Sequence, residues 1–190
     1  MATVPSTQTF TAGEKVTSTK LNAATKTVLD WLLNPPLAMV WGSASTSALP
    51  TDGSGVLHNF SLEKFDTDSM VDLATSADKI SVQTPGLYEL DWSYGVTITA
   101  ATNTAANTPG HVNTNVFLYL NGTPVGVTSC RPIAAGSVTV AHARGRLRLA
   151  AGDVLQMQTQ TRLATGTTAA TVVPYNNYNS PSMAARWVAL

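Results

Sequence analysis

The chain is short of charge. Only 12% of its 190 residues are Asp, Glu, Lys or Arg, and the formal net charge is zero. That is about half the usual charged share, so much of the surface is polar without being ionic, or is covered by partners. A neutral chain has no general drive toward nucleic acid or an anionic membrane, and neither is expected as a partner. Acids are nearly missing from the second half. Residues 96–190 hold only Asp153 against six arginines, while residues 1–95 hold the other ten acids and five lysines. This asymmetry suits contacts between copies of one chain, although a sample this small also produces it by chance. Cysteine is almost absent. Cys130 stands alone, which excludes an intrachain disulfide and leaves the fold to packing. The opening MATVPSTQTF has no basic segment followed by an apolar one, so no signal peptide is expected, and synthesis in a reducing cytoplasm is the expectation. No run of about 18 apolar residues occurs, so no membrane span is expected.

Catalytic signatures are missing too. There is no G-x-S-x-G elbow, no H-E-x-x-H pair and no phosphate-binding glycine loop. His58, His111 and His142 fall in different elements, and Cys130 has no nearby base in sequence to lower its pKa. The expectation is a protein that is not an enzyme and has no cofactor.

What is present divides at two prolines. Residues 1–16 are polar and aperiodic and read as an extended arm. Thr17 is a plausible N-cap, and Leu21, Ala24, Val28, Trp31 and Leu32 then recur at helical spacing. Pro35 and Pro36 stop this helix. A helix of about 17 residues is marginal alone in water, so its apolar face (Leu21, Val28, Trp31, Leu32) needs a partner. Attachment to another protein, packing between subunits and packing on its own domain all remain open. From Leu37 onward the period is two. In GLYELDWSYGVTI, Tyr88, Leu90, Trp92, Tyr94, Val96 and Ile98 face one way and Glu89, Asp91 and Ser93 the other. NVFLYLNGTPVGVT reads as a hairpin turning at Asn121-Gly122, and the NGT there is better read as that turn than as a glycosylation site. VTVAHARGRLRLAAGDVLQMQTQT is two strands joined at Ala151-Gly152-Asp153, and SMAARWVAL is a last strand. LAMVWGS, GVLHNF, KISVQ and ATVVP are weaker candidates. Residues 99–111 and 164–170 read as polar loops at one end of a β-sandwich. The domains are therefore 1–36, arm and helix, and 37–190, an all-β sandwich of eight to ten strands.

FDTDSM, KISVQTPGLYELDWSYGV, FLYLNGTPVG, RLRLAAGDVLQMQTQ and SMAARWVAL occur in an order that resembles the C1q/TNF-like jelly roll. The resemblance implies a jelly-roll sandwich and a homotrimer. TFTAGEKVTSTKLNAATKTVLDWLLNPP is similar to the N-terminal segment of small structural proteins of tailed bacteriophages, where a TAGE-x-V-T-x-x-x-LN pattern precedes a helix and a C1q-like domain. That second resemblance implies a virion protein, assembled in the host cytoplasm and docked to other virion proteins through residues 1–36. A minor tail or fibre protein aiding host-surface contact is the first expectation, and a trimeric capsid decoration protein the alternative.

Three constellations carry candidate chemistry. Asp66, Asp68 and Asp72 offer oxygens to Ca²⁺, without the glycine and terminal glutamate of an EF-hand loop; the simpler reading is a solvated loop. Arg144, Arg146 and Arg148 alternate on one strand face with His142. Like charges in a row call for acids of a sister subunit, the virion or an anionic glycan, or else form a solvated face. Tyr88, Trp92 and Tyr94 are either a sugar platform or, as the jelly-roll resemblance implies, core or trimer-axis packing.

Overall fold

A computed structural model describes residues 9–43, 47–103, 112–132, 136–165, 167–175 and 181–189. The first eight residues of the arm, most of the 99–111 segment and His111 lie outside the described residues. The TAGE motif is a local turn. The Glu14 N–H donates to the Thr11 carbonyl and the Thr11 N–H to Glu14 Oε2, each at 3.0 Å. Gly13 takes φ +78° there, a left-handed value that costs glycine little. Glu14 also pairs with Lys20, and Thr17 caps the helix by accepting from the Lys20 N–H.

The single helix expected from the spacing is two short ones, α1 (Ser18–Ala24) and α2 (Lys26–Leu33). The break falls at Thr25, whose φ and ψ are −117° and −61°. Its hydroxyl donates to the Leu21 carbonyl at 2.7 Å, the kind of side-chain competition that bends helices. After the two prolines the chain is fastened to the sandwich. Thr67 Oγ1 donates to the Pro35 carbonyl, and the Trp187 N–H donates to that of Pro36.

Eleven strands follow among the described residues. They are β1 (Leu37–Ser43), β2 (Asp52–Leu57), β3 (Phe60–Asp66), β4 (Lys79–Ser81), β5 (Gly86–Asn103), β6 (Val112–Leu120), β7 (Thr123–Cys130), β8 (Val138–Leu149), β9 (Val154–Leu163), β10 (Thr167–Pro174) and β11 (Ser182–Ala189). They form two antiparallel sheets. In sheet A the order is β8-β5-β11-β1-β3, with β10 pairing the far end of β5; in sheet B it is β7-β6-β9-β2, with β4 also on β9. The β6–β7 hairpin turns at Asn121 (φ +51°) and Gly122 (φ +79°), the two positive values a type I′ turn requires. The turn after β8 is not a hairpin, because β8 joins sheet A and β9 joins sheet B. Asp153 holds this crossing by accepting from the Ala150 N–H and from Asn121 Nδ2. The strands also run further than expected. β5 continues through Asn103 and pairs with β10 from Thr167, so residues 99–103 and 167–170 of the two expected polar loops are strands that pair with each other, while Ala164 and Thr165 stay outside strands.

Between the sheets the inward residues of β5 meet those of β6, β8 and β9. Tyr88, Leu90, Trp92, Tyr94, Val96 and Ile98 are all buried there. The Trp92 indole lies over Gly126 of β7 and Gly145 of β8, and a Cβ at Gly126 would come within 2.8 Å of its ring. His58 is buried against Tyr94, ring centroids 4.2 Å apart, with Nε2 at 2.9 Å from Thr159 Oγ1. Burial pushes its pKa down to about 4.

Candidate functional site

The outer face of sheet A gathers most of the residues singled out in the sequence. Strand register lays them in rows. One row runs Leu62 (β3), Trp41 (β1), Ser182 (β11), Ser93 (β5) and His142 (β8). The next runs Phe65, Met39, Ala184, Asp91 and Arg144, and a third runs Leu37, Arg186, Glu89 and Arg146. The face is therefore apolar on the β1–β3 side and charged on the β5–β8 side. The seam between them is the hydrogen bond of Ser93 Oγ with Ser182 Oγ, at 2.9 Å.

The apolar half is unusual for a solvated sheet. Leu62 and Phe65 are 47% and 48% exposed, beside the partly exposed Met39 and Trp41. Across the molecule a second apolar edge is formed by Val125 and Val127 of β7 with Val138 and Val140 of β8, all exposed. The two sheets meet at that edge, where Thr128 Oγ1 donates to the His142 carbonyl.

The arginine stripe is answered from inside the chain. Arg144 Nε donates to Asp91 Oδ2 at 2.6 Å, and His142 Nε2 lies 3.0 Å from Asp91 Oδ1. Glu89 accepts from Arg146 and Arg186. The sequence reading looks for these acids on another subunit, the virion or a glycan, or else for a solvated face; the neighbouring strand β5 supplies the acids, and Arg144 and Arg146 stay largely exposed. Arg148 is engaged as well. Asp91 holds the Arg144 guanidinium pKa above its ordinary value through this hydrogen bond.

Tyr88, Trp92 and Tyr94 lie in the chain's own core, at most 5% exposed, so no sugar platform exists on this strand. The acidic loop folds onto itself. Asp66 accepts from the N–H groups of Asp68, Met70 and Val71. Asp72 accepts from Ala74, Thr75 and the Thr75 hydroxyl, and Asp68 is buried. Among the described residues no group of three His, Cys, Asp or Glu side chains is placed to hold a metal ion. Cys130 is buried, which pushes its thiol up to about 11, so it is a protonated thiol at neutral pH.

The helical face divides in two. Trp31 stands edge-on to Trp187 of β11, centroids 4.3 Å apart at 84°, and closes the base of the sandwich. Val28 is partly covered, while Leu21, Leu29, Leu32 and Leu33 are between 50% and 82% exposed. No helix among the described residues is long and apolar enough to cross a membrane. Sequence reasoning missed Leu62 and Phe65, whose strand has no clean period, and Met39 and Trp41, whose neighbours only register reveals.

No protein-family model matches the chain, and no curated protein is similar to it in sequence. Solved structures are similar in fold. Murine APRIL at pH 8.0 superposes with a TM-score of 0.50 at 9% identity, over 80% of this chain and 98% of that one. The Eiger TNF of S. frugiperda gives 0.50 at 11% identity, over 81% and 92%. The globular domain of zebrafish complement 1qA protein gives 0.47 at 11% identity, over 80% and 96%. At these identities the likeness is one of fold, and with the first two structures it makes the fold of this chain a jelly-roll sandwich of the TNF type.

Proposed function

We propose that the chain is a non-enzymatic structural protein of a tailed-phage particle. Residues 37–190 form a knob that assembles as a homotrimer, and residues 1–36 seat it on other virion proteins. A minor tail or short fibre protein is the favoured placement. The observation that carries the assembly reading is the cluster on sheet A of the half-exposed Leu62 and Phe65 with the partly exposed Met39 and Trp41. Apolar patches of this kind mark interaction surfaces. The valine edge of β7 and β8 lies on the opposite border, so one copy's edge set on the next copy's apolar face makes a head-to-tail contact, which closes into a trimeric ring when successive copies are turned by about 120°. The seating reading rests on the resemblance of residues 9–36 and on the exposed Leu21, Leu29, Leu32 and Leu33.

The test is light scattering on the wild type and on Leu62→Asp with Phe65→Asp. Wild type should contain three chains and the variant one, with little change in melting, because both side chains are about half exposed already. A wild-type monomer at micromolar concentration defeats the assembly reading. For seating, Leu32→Asp with Leu33→Asp should leave a folded trimer that no longer loads on particles. Normal loading places the docking surface elsewhere. Copy number then separates tail from capsid: a few copies per particle for a tail protein, hundreds for a decoration protein.

A further inference from the structure

The outer face of sheet B carries side chains that assembly leaves unused. Register sets Arg162 of β9 beside Asn113 of β6, and Asn115 between Gln160 of β9 and Ser129 of β7. Arg131 follows the end of β7 at the level of Asn113. Arg131, Arg162, Asn113, Asn115 and Ser129 line a concavity of about 430 Å³, with the buried Cys130 also in its wall. Strands lie about 4.8 Å apart, so the two arginines stand on Cα atoms roughly 10 Å apart across three strands. The Arg162 side chain lies over Gly53 of β2, and sharing an anion requires it to turn toward Arg131.

These two arginines differ from the other four. Arg144, Arg146 and Arg186 are held by Asp91 and Glu89, and Arg148 is engaged. Among the described residues neither Arg131 nor Arg162 has a carboxylate partner. Asp52 lies opposite Arg162 in register, but its carboxylate accepts from the Ser54 N–H at 2.8 Å. Two like charges at one concavity repel until an anion enters, and guanidinium groups pair bidentately with carboxylates.

Below the concavity the same face changes character. Phe117 stands between Gln158 and Val127, and the Tyr119 hydroxyl donates to Gln158 Oε1 at 2.8 Å. Both rings are partly exposed, with centroids 6.2 Å apart. At the far end Gln156 donates to Asp78 and lies opposite Lys79 of β4, so an acid accompanies the cation there, while Arg131 and Arg162 at the upper end have no carboxylate partner among the described residues. An anion at one end, amides for hydroxyls along the way and an aromatic surface in the middle are the complement of an acidic sugar chain. Two unanswered cations are too few to track a nucleic-acid backbone.

We propose that this face binds an acidic oligosaccharide. A sugar carboxylate sits between Arg131 and Arg162, hydroxyl groups bond Asn113, Asn115 and Gln160, and the apolar face of the adjoining sugar lies on Phe117. The proposal goes beyond the assembly reading and does not depend on it, since all these residues belong to one chain.

Calorimetric titration of the full chain tests it with four probes: a hyaluronan tetrasaccharide, a polysialic acid tetrasaccharide, the neutral chitin tetrasaccharide and inorganic sulfate. At least one acidic tetrasaccharide should bind about tenfold or more tightly than the neutral one and sulfate. Arg131→Gln and Arg162→Gln should each weaken it about tenfold, the loss of a charge-assisted pair. Phe117→Ala should weaken it severalfold, while Arg144→Gln should leave it unchanged. Arg131 is exposed just past its strand, so its variant keeps the test open if the Arg162 variant fails to fold. Absent binding of both acidic sugars overturns the proposal, as does equal binding of sulfate or unchanged affinity in Arg131→Gln. Sedimentation of the same samples reports assembly separately. A monomer that binds the sugar leaves this site standing and removes the trimer.

Discussion

The outer faces of the two sheets both carry arginines, and the strands around them treat those arginines in opposite ways. On sheet A, β5 places Glu89 and Asp91 directly across from Arg146 and Arg144. The charges close on themselves, and the unsatisfied part of the face is the apolar half beside them. On sheet B, β6 and β7 present amides and a hydroxyl beside Arg131 and Arg162, while Asp52, opposite Arg162 on β2, accepts from Ser54, and neither arginine has a carboxylate partner among the described residues. The conspicuous stripe in the sequence is thus the settled one. The two scattered arginines are the pair that a ligand completes. A cation's place in sequence says little about its role; the side chains across the ladder decide it.

The comparison assumes one interior holding both faces in place, and the largest expected effect tests that. Trp92 reaches from β5 of sheet A to Gly126 of sheet B. Trp92→Ala should cost about 3–5 kcal/mol of unfolding free energy, a large part of a typical domain's stability. Denaturant titration reads it. A midpoint close to wild type breaks the picture of a shared core.

A smaller effect comes from acid. His58 has a folded pKa of about 4 against 6.5 for the free side chain. Between those values the unfolded chain binds the extra proton, so stability falls as pH falls from 6.5 toward 4. From pH 7.5 to 5 the loss should be about 2 kcal/mol, measured by urea titration at each pH. His58→Gln should remove most of that slope. An unchanged slope assigns the acid sensitivity to carboxylates on the two faces and not to the interior.

The smallest effect sharpens the contrast between faces. Arg144 and Arg146 are 68% and 63% exposed, and exposed pairs of this kind contribute little. Arg144→Gln with Arg146→Gln should leave the melting temperature and the salt dependence of assembly unchanged. A large loss of assembly reopens a contact between this stripe and a second copy.

Much of the sandwich was legible because its signals are local. Alternation in β5, β6 and β11 follows from side chains pointing to opposite faces at each step. Asn121-Gly122 reads as a hairpin because few other pairs tolerate two positive φ values. The strand β3 was not legible, because only Phe60 of its seven residues is buried and an edge strand with both faces largely in water carries no period. The far ends of β5 and β10 looked like loops because their Thr- and Ala-rich segments pair with each other and bury little. The helix break was hidden because a threonine inside a helical pattern is no breaker by itself, and only the bond of its hydroxyl to the Leu21 carbonyl marks the break. The candidate surfaces were less legible than the strands. Trp41 beside Leu62, and Asn113 beside Arg162, are neighbours only through pairing across long stretches of chain.

By itself the sequence determined the alternating strands, the cysteine that has no mate, the Thr17 cap and the end of the helical segment at Pro35-Pro36. Each of these depends on the geometry of a few adjacent residues. Only the tertiary structure decided that β8 and β9 part into different sheets, that Trp31 closes on Trp187 and that Arg144 meets Asp91 while Arg131 and Arg162 meet no acid among the described residues. Those outcomes depend on which strands become neighbours, and burial of the shared core makes that choice among segments dozens of residues apart.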